Sequence, residues 1–375
     1  MQFEPFLLDE WLDAAMDPVP RWNLGSVAGP TWDLITLLDL ATDAERSRFM
    51  RTPLSYSRAA GIEALREAIG ERYNTSADDV IVVTGASEAI LLVFFNAAVP
   101  GANVVLPAPC FPAIAAIPRA LGLDVRSYQL RPENDWAIDL DEVSDLVDSR
   151  TTVVFLNSPH NPTGAVVPGE TKEELRAIAD RAGASLVADE VFHPIYHGPL
   201  EQSAIVEGAT IIGDASKAFS LPGLRLGWIV ERDPERRRQY LRGRMNSTGT
   251  NSPLTEQLAL MAMRNAPVVV GRAQRTATRN LGLLSRLMSD WVDFVDWVKP
   301  LGGTSAFPWL RGGREARPLC QALLAVGVLT VPGDVFGYPT FMRIGFGAEE
   351  EFEGALRAAT GVLEGTFSRG NTLVR

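Results

Sequence analysis

The sequence predicts an α/β fold in which a large, doubly wound, mostly parallel seven-stranded sheet is joined to a smaller α/β unit. Three observations predict it. Seven short β-rich runs lie between residues 79 and 230, most of the gaps between them carry helix-like segments, and the last gap is too short for a crossover helix.

The first run is DVIVVT at 79–84, followed by ANVVLP at 102–107, DVRSYQL at 124–130 and TTVVFLN at 151–157. ASLVADEV at 184–191, ATIIGD at 209–214 and RLGWIV at 225–230 complete the set. Helical spacing of apolar residues at three and four marks 86–99, 110–122, 140–149 and 172–183. Between the sixth and seventh runs only SKAFSLPG intervenes, so the seventh strand is expected antiparallel to its neighbours. Helical patterns resume at 254–266 and 274–295, and a smaller unit with strands near GVLTVP and FMRIGF closes the chain. The large domain is expected over 45–265, with 1–44 and 266–375 forming an N-terminal arm and the small domain.

The chain has 375 residues and is 46% hydrophobic, enough for two substantial cores. A net charge of −11 argues against nucleic-acid partners, whose phosphates demand clustered Lys and Arg. No run approaches the roughly 18 apolar residues of a membrane span, and the acidic start MQFEPFLLDEWLDA lacks a signal peptide's basic region, so a cytoplasmic location is expected. Cys110 and Cys320 are the only cysteines, which excludes a disulfide framework and a cysteine-based zinc site. His193 and His197 stand four apart, but Pro194 lies between them and no acid completes a ligand set, so no metal is expected.

Ligands of open α/β sheets bind beyond the carboxyl ends of the strands. The polar residues there are Thr84 to Ser87, Pro109 to Phe111, Asn157 to Gly164, Asp189 with Glu190, and Asp214 to Lys217. TGASEA sets a glycine turn before a helix start, where free amides hold an anion. Neither a GxGxxG fingerprint nor a GxxxxGK loop is present, so a phosphate would arrive on another carrier.

Seven motifs in order resemble the class I/II aminotransferase superfamily, the fold type I enzymes that use pyridoxal 5'-phosphate (PLP). They are YSRAAGIEALREAI, VTGASEAI, PAPCFP, NSPHNPTGAVV, LVADEVF, DASKAFSLPGLRLGW and FMRIGF. The resemblance implies that Lys217 attaches the cofactor through its aldehyde and later moves the substrate's α-proton. It implies that Asp189 faces the pyridine nitrogen, that Asn161 donates to the phenolic oxygen, and that Phe111 stacks on the ring. Ala86, Ser87, Ser216 and Arg225 would hold the phosphate, and Arg343 would grip the substrate's α-carboxylate with a fork of hydrogen bonds. Tyr56 matches a residue that reaches the phosphate of a neighbouring subunit, which implies a homodimer with shared active sites. A regulator of the same fold would need a basic DNA-binding module ahead of the large domain, where this sequence is acidic.

The sequence departs from the family pattern at Phe192, where many relatives carry a tyrosine that donates to the phenolic oxygen. Losing that donor changes the tuning of the cofactor. LLDEWL, RPENDWAIDLDEV, GGTSAFPWL and VPGDVFGYPTFMRIGF are similar to a narrower branch that includes capreomycidine synthase. That branch mixes predicted aminotransferases with capreomycidine synthase and similar enzymes, which eliminate a hydroxyl from a hydroxyarginine and close a ring with no net amino transfer. The resemblance therefore implies an aminotransferase acting at the α-carbon of an L-amino acid, with elimination and cyclisation as the alternative. The segment WNLGSVAGPTWDL is expected near the site, with Trp22 and Trp32 as either pocket or core aromatics.

Overall fold

The computed structural model describes residues 2–201, 208–348 and 350–368. All seven expected strands form: β1 (Val80–Val83), β2 (Asn103–Ala108), β3 (Asp124–Gln129), β4 (Thr151–Asn157), β5 (Ser185–Asp189), β6 (Thr210–Asp214) and β7 (Gly227–Val230). They make one sheet in the order β1-β7-β6-β5-β4-β2-β3. Strands β2 to β6 pair with one another in parallel, while β7 lies antiparallel to both β1 and β6, as the short connection from β6 requires.

Alternation along each strand divides the apolar residues between the two faces. Ile81, Val83, Val104, Leu106, Phe155, Val187, Ile212 and Ile229 fill one core, and Val80, Val82, Val105, Leu156, Ala188, Ile211, Trp228 and Val230 fill the other. The helices that matter below are α1 (Leu7–Ala14), α2 (Gly85–Ala97), α3 (Pro112–Ala120), α4 (Leu140–Leu146), α5 (Gly169–Ala182), α6 (Pro234–Asn246), α7 (Pro253–Arg264) and α8 (Ala266–Asp290). Helices α2 and α3 cover the first core, and α5, α7 and α8 cover the second. The sequence reading did not include α6, because PERRRQYLRGRMN buries only Tyr240 and Arg244 and so carries no apolar stripe.

The smaller sheets are built from both ends of the chain. Trp22–Asn23 pairs parallel with Val328–Leu329, and Met342–Gly345 lies between Ser305–Ala306 and Val331–Pro332. GVLTVP, expected as one strand, is two short ones that pair with different partners on either side of Thr330. The last seven residues of the expected 266–375 unit lie outside the described residues. No helix among the described residues is long and apolar enough to cross a membrane.

At Gly227 two β-pairings and a helix start converge. A Cβ there would sit 2.6 Å from the carbonyl carbon of Gly85, 2.8 Å from the amide nitrogen of Ala86 and 2.9 Å from the Gly213 oxygen. All three are backbone atoms that cannot swing aside. Gly227→Ala should therefore destabilise the protein by about 1–3 kcal/mol through overpacking, read as a lowered urea unfolding midpoint.

Candidate active site

Strand register sets the floor of the site. Asn157 pairs with Asp189 across β4 and β5, while Asp214 and Val83 both pair with Gly227. The carboxyl ends of β1, β4, β5 and β6 therefore meet the start of β7 on one edge of the sheet. A cavity of about 360 Å³ opens there. Of the ten residues singled out from the sequence, nine line it: Ala86, Ser87, Phe111, Asn161, Asp189, Ser216, Lys217, Arg225 and Arg343. Tyr56 does not, and its side chain stands almost fully exposed, at 96%.

The turn after β6 folds back as the sequence suggested. The Ser216 amide donates to Asp214 Oδ1 at 2.9 Å, and Leu221 N donates to the Ala215 oxygen at 2.9 Å. A short 3₁₀ turn, Pro222–Leu224, then delivers Arg225 in the left-handed region at φ 48°. Arg225 Nη2 lies 2.9 Å from where a Cβ on Gly85 would stand, and Gly85 itself has φ +75°. Only a glycine lets the guanidinium come that close to the first turn of α2.

Several features fit a phosphate dianion. The α2 N-terminus presents free amides, Arg225 brings a cation beside them, and the Ser216 hydroxyl is buried with no partner among the described residues. Deeper in, Asp189 is 5% exposed and accepts from Val191 N at 3.1 Å. Burial, followed by the neighbouring Asp214 and Glu190 charges, pushes its pKa up to about 7, with Val191 N and Lys217 opposing. A cationic ring nitrogen would relieve that penalty, so the acid fits the pyridine of PLP. Asn157 ties the acid's strand to the next loop, donating to the Asp189 oxygen at 2.9 Å and accepting from Asn161 N at 2.8 Å.

Arg343, the second residue of the short strand Met342–Gly345, is 2% exposed. It donates to Asn161 Oδ1 at 3.2 Å and to the Gly25 oxygen at 2.9 Å, while its Nε has no partner among the described residues. Burial lowers its pKa to about 10, so it stays charged at neutral pH. Burial likewise lowers the pKa of Lys217, with Arg343 and Arg225 adding to the effect and Asp214 and Asp189 opposing it. A lysine so placed is easier to free of its proton than one in water, as a nucleophile or base must be.

Trp22 and Trp32, expected as either pocket or core aromatics, belong to the core. Neither Trp22 nor Trp32 lines the cavity; Trp22 is buried in the main core beneath the Arg21 guanidinium at 4.4 Å, and Trp32 stacks with Arg272 at 4.9 Å. Their segment reaches the site through Asn23 and Gly25 to Val27 instead. Phe192 does line the cavity, 1% exposed and packed with Val27 and Val191.

Sequence reasoning also missed a brace behind the phosphate cradle. Glu88, one turn into α2, accepts from Thr84 N at 2.5 Å and from Arg244 Nη1 at 2.7 Å. Arg244 of α6 is fully buried; it also holds Asn251, and its Nε donates to the Ala59 oxygen at 2.8 Å. An acid within SEAILL and an arginine within a charged helix, 156 residues apart, carry no local signal of pairing.

Two outcomes follow. Glu88→Ala should cost about 3–5 kcal/mol, because it strands Arg244 as an unpaired buried cation. Glu88→Gln should cost less, and urea titration reads both. In cofactor-free protein, the raised pKa of Asp189 means the folded state holds more protons than the unfolded chain between about pH 4 and 7. Its contribution to stability therefore falls as pH rises through that window, by on the order of 4 kcal/mol. Asp189→Asn should flatten this part of the pH profile, measured as unfolding midpoints of both proteins from pH 4 to 8.

Comparison with known proteins agrees with the geometry. The family model described as aminotransferase class I and II matches residues 24–358. Capreomycidine synthase from Streptomyces vinaceus is 36% identical over 321 residues, covering 83% of this chain and 81% of that one. Among solved structures, the PLP-dependent cyclase OrfR is 31% identical with a TM-score of 0.88, covering 98% of each chain. A PLP-dependent aminotransferase from Streptococcus suis is 25% identical with a TM-score of 0.90, covering 98% of this chain and 99% of the other. The cavity at the carboxyl edge of the sheet thus lies in a chain that belongs to the class I and II aminotransferase family.

Proposed function

We propose that this cavity binds PLP on Lys217 and exchanges an amino group between an L-amino acid and a 2-oxo acid. The observation that carries the reading is one lysine set in a cavity with a buried acid, a buried arginine, and a helix N-terminus with a second arginine beside it. When bound, the cofactor supplies an aldehyde carbon conjugated to an electron-accepting pyridine ring.

The chain's own residues divide the remaining work. Ser216, Arg225 and the amides of Ala86 and Ser87 bind the phosphate, with charge-assisted hydrogen bonds that fix the ring's position. Asp189 accepts a hydrogen bond from the pyridine N–H and so keeps that proton on the ring. Phe111 would cover one face of the ring, and Asn161 would donate to the phenolic oxygen. Arg343 forks onto the substrate's α-carboxylate and orients the α-carbon toward Lys217, which takes the α-proton and returns one. Tyr56, exposed at 96%, reaches the phosphate of a second copy, which makes the working unit a homodimer. We read residues 45–265 as the cofactor-binding domain, 1–44 with 266–375 as the smaller one, and the enzyme as cytoplasmic.

A second reading rests on Phe192 and on the 36% identity to capreomycidine synthase. In it the same lysine takes the α-proton, a leaving group departs from the β-carbon, and a nucleophile of the substrate closes a ring. Product analysis separates the two readings. With PLP, 2-oxoglutarate and single amino acids, released keto acid supports aminotransfer. A ring-closed product from β-hydroxyarginine without keto acid supports elimination.

Lys217→Ala should abolish the visible band that forms when PLP is added to wild type, and should lower turnover by at least about 10²–10⁴-fold. Unchanged turnover would remove Lys217 from the chemistry. Arg343→Lys should raise the KM for the amino acid by about tenfold or more, since a forked, charge-assisted contact is lost.

A further inference from the structure

We infer that Trp136 is a positioning residue, which seats the smaller unit against the sheet so that Arg343 stands ready for an α-carboxylate. The inference rests on the reading of Arg343 as the carboxylate grip and adds the device that sets its place.

RPENDWAIDLDEV, GGTSAFPWL and VPGDVFGYPTFMRIGF lie far apart in the chain, yet their aromatic residues meet in one cluster. Trp136 comes from the loop between β3 and α4, on the sheet side, while Phe307, Phe336, Tyr338 and Phe341 come from the smaller unit. The Trp136 side chain is 2% exposed; its ring lies 6.2 Å from Phe307 and meets Phe341 edge-on at 5.9 Å. Phe307 and Phe341 stack on each other at 4.9 Å. Tyr338 adds a polar tie across the same seam, its hydroxyl donating to Gln129 Oε1 at 3.3 Å.

The backbone is bent to put the tryptophan ring there. A 3₁₀ turn, Pro132–Asn134, ends on Asp135 at φ 52°, and Trp136 follows at φ 62°. Left-handed backbone is tolerated by aspartate but is an outlier for a side chain as bulky as tryptophan. Such a conformation persists where the surrounding contacts over-determine it. Here the Trp136 amide donates to the Arg131 oxygen at 2.9 Å and Ala137 N to the Asn134 oxygen at 2.8 Å. The loop thus closes on itself and carries the ring off the edge strand β3 into the smaller unit.

Two short routes lead from Trp136 to Arg343. Phe341, bridged to Trp309, stands two residues ahead of Arg343 at the entry to the strand Met342–Gly345. Phe307 follows Ser305–Ala306, which pairs with that strand, and it meets Phe336 edge-on at 5.6 Å. The Arg343 guanidinium lies over the Phe336 ring at 5.4 Å. Removing the Trp136 ring therefore loosens both the strand that carries Arg343 and the ring beside its guanidinium. Asp189 and Asp214 keep their hydrogen bonds at the sheet edge, so the loss falls on carboxylate binding and not on the cofactor contacts.

The test is calorimetric binding of L-alanine and of ethylamine, the same molecule without its carboxylate, to the PLP-loaded protein. Wild type should bind alanine about tenfold or more tighter than ethylamine. Trp136→Ala should erase most of that preference while leaving ethylamine within about twofold, and Trp136→Phe, which keeps a ring in the cluster, should recover most of it. Trp136→Leu serves the same purpose with more of the volume filled, should the alanine variant fail to fold. In an Arg343→Lys background, Trp136→Ala should weaken alanine by less than about twofold further, because both changes act on one contact. Equal weakening of alanine and ethylamine, unchanged alanine binding, or full multiplication of the two losses would make Trp136 merely structural and overturn the inference. A wild type that binds alanine and ethylamine alike defeats the reading of Arg343 itself, and the inference with it.

Discussion

The antiparallel return of β7 into an otherwise parallel sheet is the constraint on which the site depends. With only a short turn between β6 and β7, Lys217 and Arg225 fall on the same edge of the sheet, at the carboxyl end of one strand and the entry to the next. Gly227 then packs its backbone against Gly85 and Ala86, so the start of α2 is drawn against the arginine. A longer crossover would have sent the chain over one face and returned it at the opposite edge, and the cation and the helix amides would not meet.

Holding so much charge in a small dry volume is costly, and the protein manages it by distributing partners. Asp189, Asp214 and Arg343 are each buried and each hydrogen-bonded to backbone atoms fixed by strand register or by the loops at strand ends. Behind them, Glu88 and Arg244 form a buried pair that ties α2 and α6 to the segment following Tyr56. Such pairs contribute little net stability compared with apolar packing, yet removing one partner is severe. Their value here is geometric, since Glu88 receives the amide of the residue that opens α2.

The N-terminal segment belongs to both parts of the molecule. Trp22–Asn23 adds a strand beside Val328–Leu329, Gly25 supplies the carbonyl that receives Arg343, and α1 covers the cavity from above the small unit. The cavity is thereby lined by residues before 30 and after 300 as well as by those at the sheet edge between them.

Much of this was legible in the sequence. The seven strands, the reversed last one and the placement of Lys217, Asp189, Asn161 and Arg225 at strand ends follow from local periodicity and turn residues, which act over a few neighbouring positions, whereas Arg343 was named only through the family resemblance. What periodicity does not encode is which distant segment covers an element. Nothing in LLDEWLDA says that Asp9 turns to the cavity, because that face is chosen by docking against Thr330 and Arg317 more than three hundred residues away. Nothing in PERRRQYLRGRMN marks Arg244 as buried, because its burial is made tolerable only by Glu88 and Asn251. The sequence by itself determined the strands, their polarity and the chemistry gathered at their ends, through spacing and side-chain type. The tertiary structure alone decided which charges were paired and which aromatics were core, because those depend on contacts between segments remote in the chain.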